Sequence, residues 1–472
     1  MGARLRRLRE DRRLTQIAAS KVIGLSPSYY NQLENDERPV TAAVLRKIAT
    51  AFGVDAHVFS DEVEAHLIAE LRDALTAAAP SEPISAVELR ELAIRQPSVA
   101  RALTTMHRRL REVTEIADVM ADRLGAGPPD VASASSLLPF EEVREFFYGR
   151  QNYFDELDTT AEQLFVEARL RTGDTADGLV TRLNEQHGVR VELVDEDMRR
   201  DVTAVVQRRY DPASRTVTLA RHLSPGQRAF QLATQLAFLE LGGPIAQLVD
   251  EAGFSSDEAR ALARIGLANH FAGALLMPYA PFLESAERLR YDIHLLRRQF
   301  GVSFEVTCHR LSTLQRPRAR GVPFFFIRVD RAGNISKRQS ATDFHFSRVG
   351  GTCPLWNVYE AFAQPGRILR QLAQMPDGRT YLWIARTVAG SQGGYAAPVK
   401  TFAIALGCDA RHAGKLIYSR GLDLDDPTAP TPIGVGCRVC ERAACPQRAF
   451  PPINGRLIVN ENERRVEPYS VG

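Results

Sequence analysis

Cysteine is scarce in this chain, six residues in 472. That scarcity, with nothing that reads as a secretory leader, excludes a small fold stapled by disulfides. Long apolar runs are missing as well, and stretches such as GVPFFFIRVD are too short to span a bilayer. The start, MGARLRRLREDRRL, is basic but no apolar segment follows it. A strong charge of either sign is also absent, since the formal net of +3 implies no nucleic-acid partner by itself. What remains, 44% apolar and 25% charged residues, is the make-up of an ordinary globular protein. The length suggests roughly two to four domains. A cytoplasmic location without a membrane partner is expected. In that reducing medium clustered cysteines argue for metal, and Cys437, Cys440 and Cys445 form a C-x2-C-x4-C run with ligand spacing.

The distribution of charge says more than its sum. Arg4, Arg6, Arg7, Arg9, Arg12 and Arg13 crowd the N-terminus, ahead of apolar residues at helical spacing, Leu14, Ile17, Ala18 and Val22. Gly24 supplies a turn, and Ser26 with Pro27 reads as an N-cap followed by proline at the first helical position. The next helix, PSYYNQLEN, has Tyr30 and Leu33 on one face and Ser28, Tyr29, Asn31 and Gln32 on the other. Two short helices joined this way form a helix-turn-helix whose second member enters the major groove of double-stranded DNA. Asn31 and Gln32 carry amides suited to adenine edges, while Arg4, Arg6 and Gln16 are placed for phosphates. Ser26 and Arg38 complete the candidate DNA-contacting set. The stretch from Thr15 to Val54 resembles the Xre (lambda-repressor-like) family. The competing reading is a solvated basic helical bundle.

Residues 61–125 read as a helical spacer. Within it Leu103, Met106, Leu110, Val113, Ile116, Ala117 and Met120 make an apolar stripe. Such a stripe is an ordinary packing face in many proteins. Its expected use here is to pair protomers, because readers of this type take two half-sites about 34 Å apart. GAGPPDVASASS then breaks the pattern, and a linker is placed at 126–138.

From 139 to 316 the chain is expected to be mostly helical. QRAFQLATQLAFLEL resembles the central helix of the ImmA/IrrE metallopeptidase-like family, where H-E-x-x-H would offer two histidines and a general base to zinc. Here those positions are Thr234, Gln235, Leu236, Ala237 and Phe238, and Leu267 stands where a third, acidic ligand is expected. None of these can hold zinc, so neither catalysis nor catalytic residues are expected. His270 nearby reads as structural. A cleft without its metal can bind something else. PFEEVREFFYGRQNYFDELD interleaves aromatics with cations, which suits a nucleotide bearing phosphates, and Tyr148, Tyr153 and Arg169 are the candidate contacts. Core aromatics with arginines reaching to water is the plainer alternative.

After RPRARG, residues 317–472 carry short apolar runs with aromatic and β-branched residues, VPFFFIRVD, GRTYLWIARTV and KTFAIALGC, which read as strands. GNISKR supplies a turn between the first strand and a partner. Cys353 and Cys408 sit beside glycines in expected loops, and Cys308, at VTCHRL, reads as a buried helical thiol.

The order of these segments, ending in GTCPLWNVYEAF and GCRVCERAACPQRAFPP, resembles the actinobacterial short-chain fatty acyl transcriptional regulators (the RamB/PrpR group) over nearly the whole chain. The expected architecture is multi-domain: an all-α lambda-repressor-like helix-turn-helix, a mainly helical, zincin-derived ImmA/IrrE-like middle, and an α+β cysteine-rich C-terminal domain. The resemblance implies a regulator of acetate, propionate, glyoxylate- or methylcitrate-cycle genes with acyl-CoA as effector; a homodimer or higher homo-oligomer is expected from the apolar stripe. It also implies a [4Fe-4S] cluster, which needs four thiolates. Cys437, Cys440 and Cys445 supply three, and the fourth is Cys353 or Cys408. Cys353 is favoured because proline follows it in a more aromatic context. Zinc is the competing occupant. The alternative function is an Xre regulator of metallopeptidase ancestry in a stress or toxin-antitoxin pathway, with structural zinc at the cysteines.

Overall fold

A computed structural model describes residues 2–12, 14–35, 37–38, 40–53, 61–78, 84–124, 139–195, 206–342, 344, 352–390, 399–437, 440, 442, 445–451, 457–459, 462–463 and 470–471. The N-terminal unit holds α1 (Gly2–Asp11), α2 (Gln16–Ile23), α3 (Pro27–Glu34) and α4 (Ala42–Phe52). Local chemistry delimits these helices. The side chains of Thr15, Ser26 and Thr41 each accept a backbone N–H at the start of α2, α3 and α4, and Gly24 closes α2 at φ +74°, a left-handed conformation that glycine adopts without strain. Leu5, Ala19, Ile23, Tyr30, Leu33, Ile48 and Phe52 form the small core between them.

The spacer comprises α5 (Asp61–Ala78), α6 (Ala86–Arg95) and α7 (Pro97–Leu124). A capping box of Ser85 with Glu88 starts α6. Leu71, Leu89, Ala93 and Ala100 bind the three helices together, while Val99, Met106 and Leu110 of α7 are 44%, 67% and 66% exposed. The stripe beyond residue 111 lies outside the described side chains, and the expected linker at 126–138 lies outside the described residues.

The middle unit has α8 (Pro139–Tyr148), α9 (Asp155–Glu167), α10 (Ala176–His187), β1 (Arg190–Val194), β2 (Arg208–Asp211), β3 (Thr216–Ala220), α11 (Pro225–Glu240), α12 (Gly242–Ala252), α13 (Asp257–Leu276), α14 (Tyr279–Arg288), α15 (Ile293–Phe300) and α16 (Phe304–Leu311). The three strands are an addition to the expected helical run. They form a sheet in the order β1-β3-β2, with β1 parallel and β2 antiparallel to β3. Charged residues interrupt RVELV and RRYD, which hides their period of two; TVTLA, rich in β-branched residues, was the legible signal.

The C-terminal unit contains β4 (Phe325–Val329), β5 (Ile335–Ser340), α17 (Asn357–Glu360), β6 (Leu369–Gln374), β7 (Thr380–Gly390), β8 (Lys400–Asp409) and β9 (Thr431–Pro432), in one sheet of order β5-β4-β8-β7-β6-β9. A short pair, β10 (Leu457–Ile458) with β11 (Ser470–Val471), follows. Alternation along the strands gives the large sheet two dry faces. Phe326, Leu382, Ile384, Ile404, Leu406 and Cys408 join the core of the middle unit. Phe325, Ile327, Trp383, Ala385, Ala403 and Ala405 pack instead with Cys353, Trp356 and Ile433. One sheet therefore separates the helical core from the cysteine region. Among the described residues no single helix is long and apolar enough to cross a membrane; α11 and α12 pass that test only together, and they bend by 79°.

Candidate functional site

Three places carry the candidate residues. The first is α3. Tyr30, Leu33 and Glu34 are buried, Ser28 and Asn31 are exposed, and Tyr29 and Gln32 lie between those extremes. The Ser26 hydroxyl accepts from the Tyr29 N–H at 3.3 Å and so serves as the helix cap. The Arg38 guanidinium lies over the Tyr29 ring at 5.6 Å. Beneath this surface Glu34 is a hub: Arg9 donates to it at 2.7 Å and Gln16 at 2.7 Å, and Arg6 stands 3.8 Å away. Burial by itself raises the Glu34 carboxyl, but hydrogen bonds from Arg9 and Gln16 outweigh burial and hold it below the usual range. Gln16 also donates to Asn31 Oδ1 at 3.2 Å, and Arg6 donates to Asn35 Oδ1 at 2.8 Å. Gln16 and Arg6, expected at phosphates, thus also brace α3 internally. The Arg4 side chain lies outside the described residues.

The second place is α11, which carries the five positions aligned with H-E-x-x-H. Thr234, Gln235, Leu236 and Ala237 are buried in α11, and Leu267 is fully buried in α13. Thr234 Oγ donates to the Phe230 carbonyl at 2.8 Å and to Asn269 Oδ1 at 3.3 Å, the wiring of a packed core rather than a ligand set. His270 is 3.2 Å from Asp158, which also receives two hydrogen bonds from Arg310 at 3.0 and 2.5 Å. All three are buried. Burial raises the Asp158 carboxyl, but the Arg310 charge and the hydrogen bonds from His270 and Arg310 outweigh it and keep the group below the usual carboxylate range. Sequence reasoning noted His270 and missed both partners, which lie 112 and 40 positions away.

The structure does not bring the three candidate effector residues together. Tyr153 precedes α9, with its hydroxyl donating to Asp155 at 2.6 Å and accepting from Arg316 at 2.9 Å. Arg169 is exposed beyond the other end of α9, at φ +50°. The 13 residues of that helix put about 20 Å between its ends. Tyr148 closes α8 and is partly buried. Arg169 is therefore removed from the Tyr153 neighbourhood, and Arg316, which sits 4.1 Å over the Tyr279 ring and pairs with Glu162 at 2.7 Å, is the cation found there.

The third place is the cysteine region. Cys353, Cys437, Cys440 and Cys445 line one concavity with Gly434, Arg442 and Arg448. Cys408 does not: it lies on β8, not in a loop, with no exposure, facing the helical core. Cys308 is likewise buried in α16. Backbone amides reach two sulfurs, Gly434 N–H to Cys353 at 3.4 Å and Ala449 N–H to Cys437 at 3.2 Å. Gly434 is required where it stands, since a Cβ there would lie 2.6 Å from the Cys440 sulfur. Trp356 Nε1 donates to the Gly434 carbonyl at 2.9 Å and holds that segment against the sheet. Burial pushes the Cys353 and Cys440 thiols up. Arg448 is 4% exposed and donates to the carbonyls of Cys440 and Arg442; among the described residues no carboxylate pairs with it. Arg438 lies outside the described residues. Among the described residues no three His, Cys, Asp or Glu side chains stand as a ready metal-holding group.

Comparison with known proteins decides the family. Residues 313–469 match the family described as short-chain fatty acyl coenzyme A regulator, C-terminal; residues 184–312 match the IrrE N-terminal-like domain, and residues 5–59 a helix-turn-helix. The chain is 51% identical to the HTH-type transcriptional regulator PrpR of Mycobacterium tuberculosis, over 99% of its own length and 95% of that protein. The chain belongs to the short-chain fatty acyl coenzyme A regulators. Other relatives of this regulator include RamB of Mycobacterium tuberculosis, 51% identical over 100% of this chain and 98% of RamB. A propionyl-CoA carboxylase regulator of Cereibacter sphaeroides is 42% identical, over 100% of this chain and 98% of that protein. A solved structure of a Mycobacterium tuberculosis transcriptional regulator, 55% identical, matches 71% of this chain and 100% of that one with a TM-score of 0.68. With its capped helix-turn-helix, this short-chain acyl regulator is a DNA-binding protein of multi-domain build.

Proposed function

We propose that this regulator controls genes of short-chain fatty acid metabolism, of the acetate, propionate, glyoxylate or methylcitrate type, and that it does so as a cytoplasmic, non-catalytic switch. A short-chain acyl-CoA bound in the middle unit is the effector, and Cys353, Cys437, Cys440 and Cys445 hold a [4Fe-4S] cluster. Arg448 carries the second part of this reading. Its partners among the described residues are carbonyls, and a guanidinium taken out of water is costly unless an anion accompanies it. Ionised thiolates, or the anionic centre they form with metal, are the anions that the lining can provide. Backbone amides aimed at sulfurs fit the same centre, because they stabilise charge on thiolate. The cluster would supply sensitivity to redox state or iron; the residues contribute ligation, amide hydrogen bonds and a compensating cation. Protein isolated without oxygen should be brown, contain iron and sulfide, and bleach with dithionite. A colourless preparation with stoichiometric zinc would overturn the cluster.

The effector reading rests on the family together with a middle domain that keeps its fold and has lost every metal ligand. Isothermal titration with acetyl-, propionyl- and free CoA tests it, and no heat with any of them would end it. The homodimer is inferred from α7. Its stripe Leu103, Met106, Leu110, Val113, Ile116, Ala117 and Met120 recurs three and four apart, and beyond Leu103, which packs on the spacer core, it fits a two-helix seam. Met106 and Leu110, on that seam, are exposed in the single chain.

A further inference from the structure

The chain has five lysines among its 60 basic residues, so arginine is the default cation and each lysine asks for a reason. Lys21, Lys47, Lys400 and Lys415 are exposed. Lys337 differs. It lies on the edge strand β5, paired in register with Arg328 of β4, on the sheet face that meets α16. Its Nζ stands 5.7 Å from the Phe326 ring centroid. The carboxylate within range, Glu305, is taken by Arg328 at 2.9 Å. On the same face, His309 Nε2 is met by Gln339 Nε2 at 2.8 Å, so the imidazole nitrogen accepts and the ring is neutral; burial also lowers its basicity. From α8, Glu141 faces β5 but is engaged by Arg338 at 3.2 Å and by Arg144. Among the described residues no acceptor pairs with Lys337, and its side chain is only partly exposed. An amine in that setting has no hydrogen-bonded anion among the described residues, only the Phe326 ring face and the more distant Glu305 carboxylate to hold its charge. Burial pushes it down to about 8, against the attraction of Glu305 and with the repulsion of Arg328.

We propose that Lys337 is a self-acylation site, at which the free amine accepts the acyl group of a short-chain thioester. The neutral Nζ attacks the thioester carbonyl carbon, an N–C bond forms and the C–S bond breaks. The sulfur leaves as thiolate and takes up the proton that the nitrogen loses, so an amide and a free thiol result with no oxidant or reductant. At neutral pH such an amine is unprotonated about a hundredfold more often than an ordinary lysine. The product would be a neutral, longer side chain wedged between Phe326 and α16, at the seam joining the helical core to the sheet. The choice of acyl-CoA as natural donor rests on the effector reading above; the reactivity of the amine does not.

The full chain is incubated with propionyl-CoA or, in parallel, with the propionyl thioester of N-acetylcysteamine, and acylation at each lysine is followed by peptide mass spectrometry across pH. Lys337 should label at least about tenfold faster than the other four at neutral pH, and its rate should level off near pH 8, while theirs climbs toward the ordinary lysine range near 10. Lys337→Arg should abolish that fast phase with unchanged circular dichroism. Selective labelling by the small thioester and none by propionyl-CoA supports the site and counts against acyl-CoA as its natural donor instead. Lys337 labelling no faster than the other lysines with either reagent overturns the proposal.

Discussion

The Gly434 amide donates to the Cys353 sulfur at 3.4 Å, joining residues 81 positions apart. That bond places Cys353 in the pocket of the C-terminal cysteine run, whereas Cys408 faces the opposite side of the sheet. Cys353→Ser should therefore strip the iron and the brown colour, and Cys408→Ser should retain both. The measurement is iron and sulfide content of anaerobic protein, and the reverse result hands the fourth position to Cys408.

Gly434→Ala tests the same pocket without touching a thiol. The added methyl would lie 2.6 Å from the Cys440 sulfur, closer than packing permits. Iron content should fall while far-ultraviolet circular dichroism is kept. Full iron loading in this variant would show that the segment can shift, and that the close approach is not needed.

On α3, Asn31→Ala and Gln32→Ala should each cost about 1–3 kcal/mol against the preferred operator and relax specificity at one position. Gln16→Ala should act differently. Its amide donates to Glu34 and Asn31, so affinity should drop for all sequences while the salt dependence keeps its slope. Arg6→Ala, which removes a cation placed for a phosphate, should instead reduce that slope by about 0.9. Gel-shift titration over a range of salt separates the two.

Asp158→Ala leaves Arg310 buried without its partner, and unfolding should become easier by about 3–5 kcal/mol in urea titrations. The Asp158 carboxyl is held below its unfolded value, so the unfolded chain binds more protons as the solution is acidified. The stabilisation is thus full above about pH 4 and is lost as pH falls through the folded value. Wild type and variant should converge in stability under acid. A gap that persisted there would assign the loss to packing.

Met106→Glu with Leu110→Glu would place carboxylates on the exposed seam of α7. Sedimentation should then report monomer, and binding to a two-site operator should weaken while each half-site is still read. Unchanged mass in solution would remove α7 as the pairing surface.

Much of this protein was legible in sequence because the signals are local. Caps and turns at Thr15, Gly24 and Ser26 delimit helices through bonds three or four residues long, so the reader helix appeared where the pattern put it. The loss of metal ligands at Thr234, Phe238 and Leu267 was likewise a matter of residue identity, because side chains that cannot ligate zinc do so in no fold. Strands β4, β7 and β8 of the C-terminal sheet followed from short apolar runs rich in aromatic and β-branched residues, whereas β6 and β9 were not read. Tertiary structure alone decided the rest. Cys353 and Cys408 both sit near glycines, and only strand pairing turns one toward the cysteine pocket and the other into the helical core. Tyr153 and Arg169 are 16 positions apart in sequence, but an intervening rigid helix holds them at its two ends. Asp158, His270 and Arg310, and the setting of Lys337 against Phe326, depend on which surfaces meet. Burial and pairing are set by contacts between distant segments, and no local pattern encodes them.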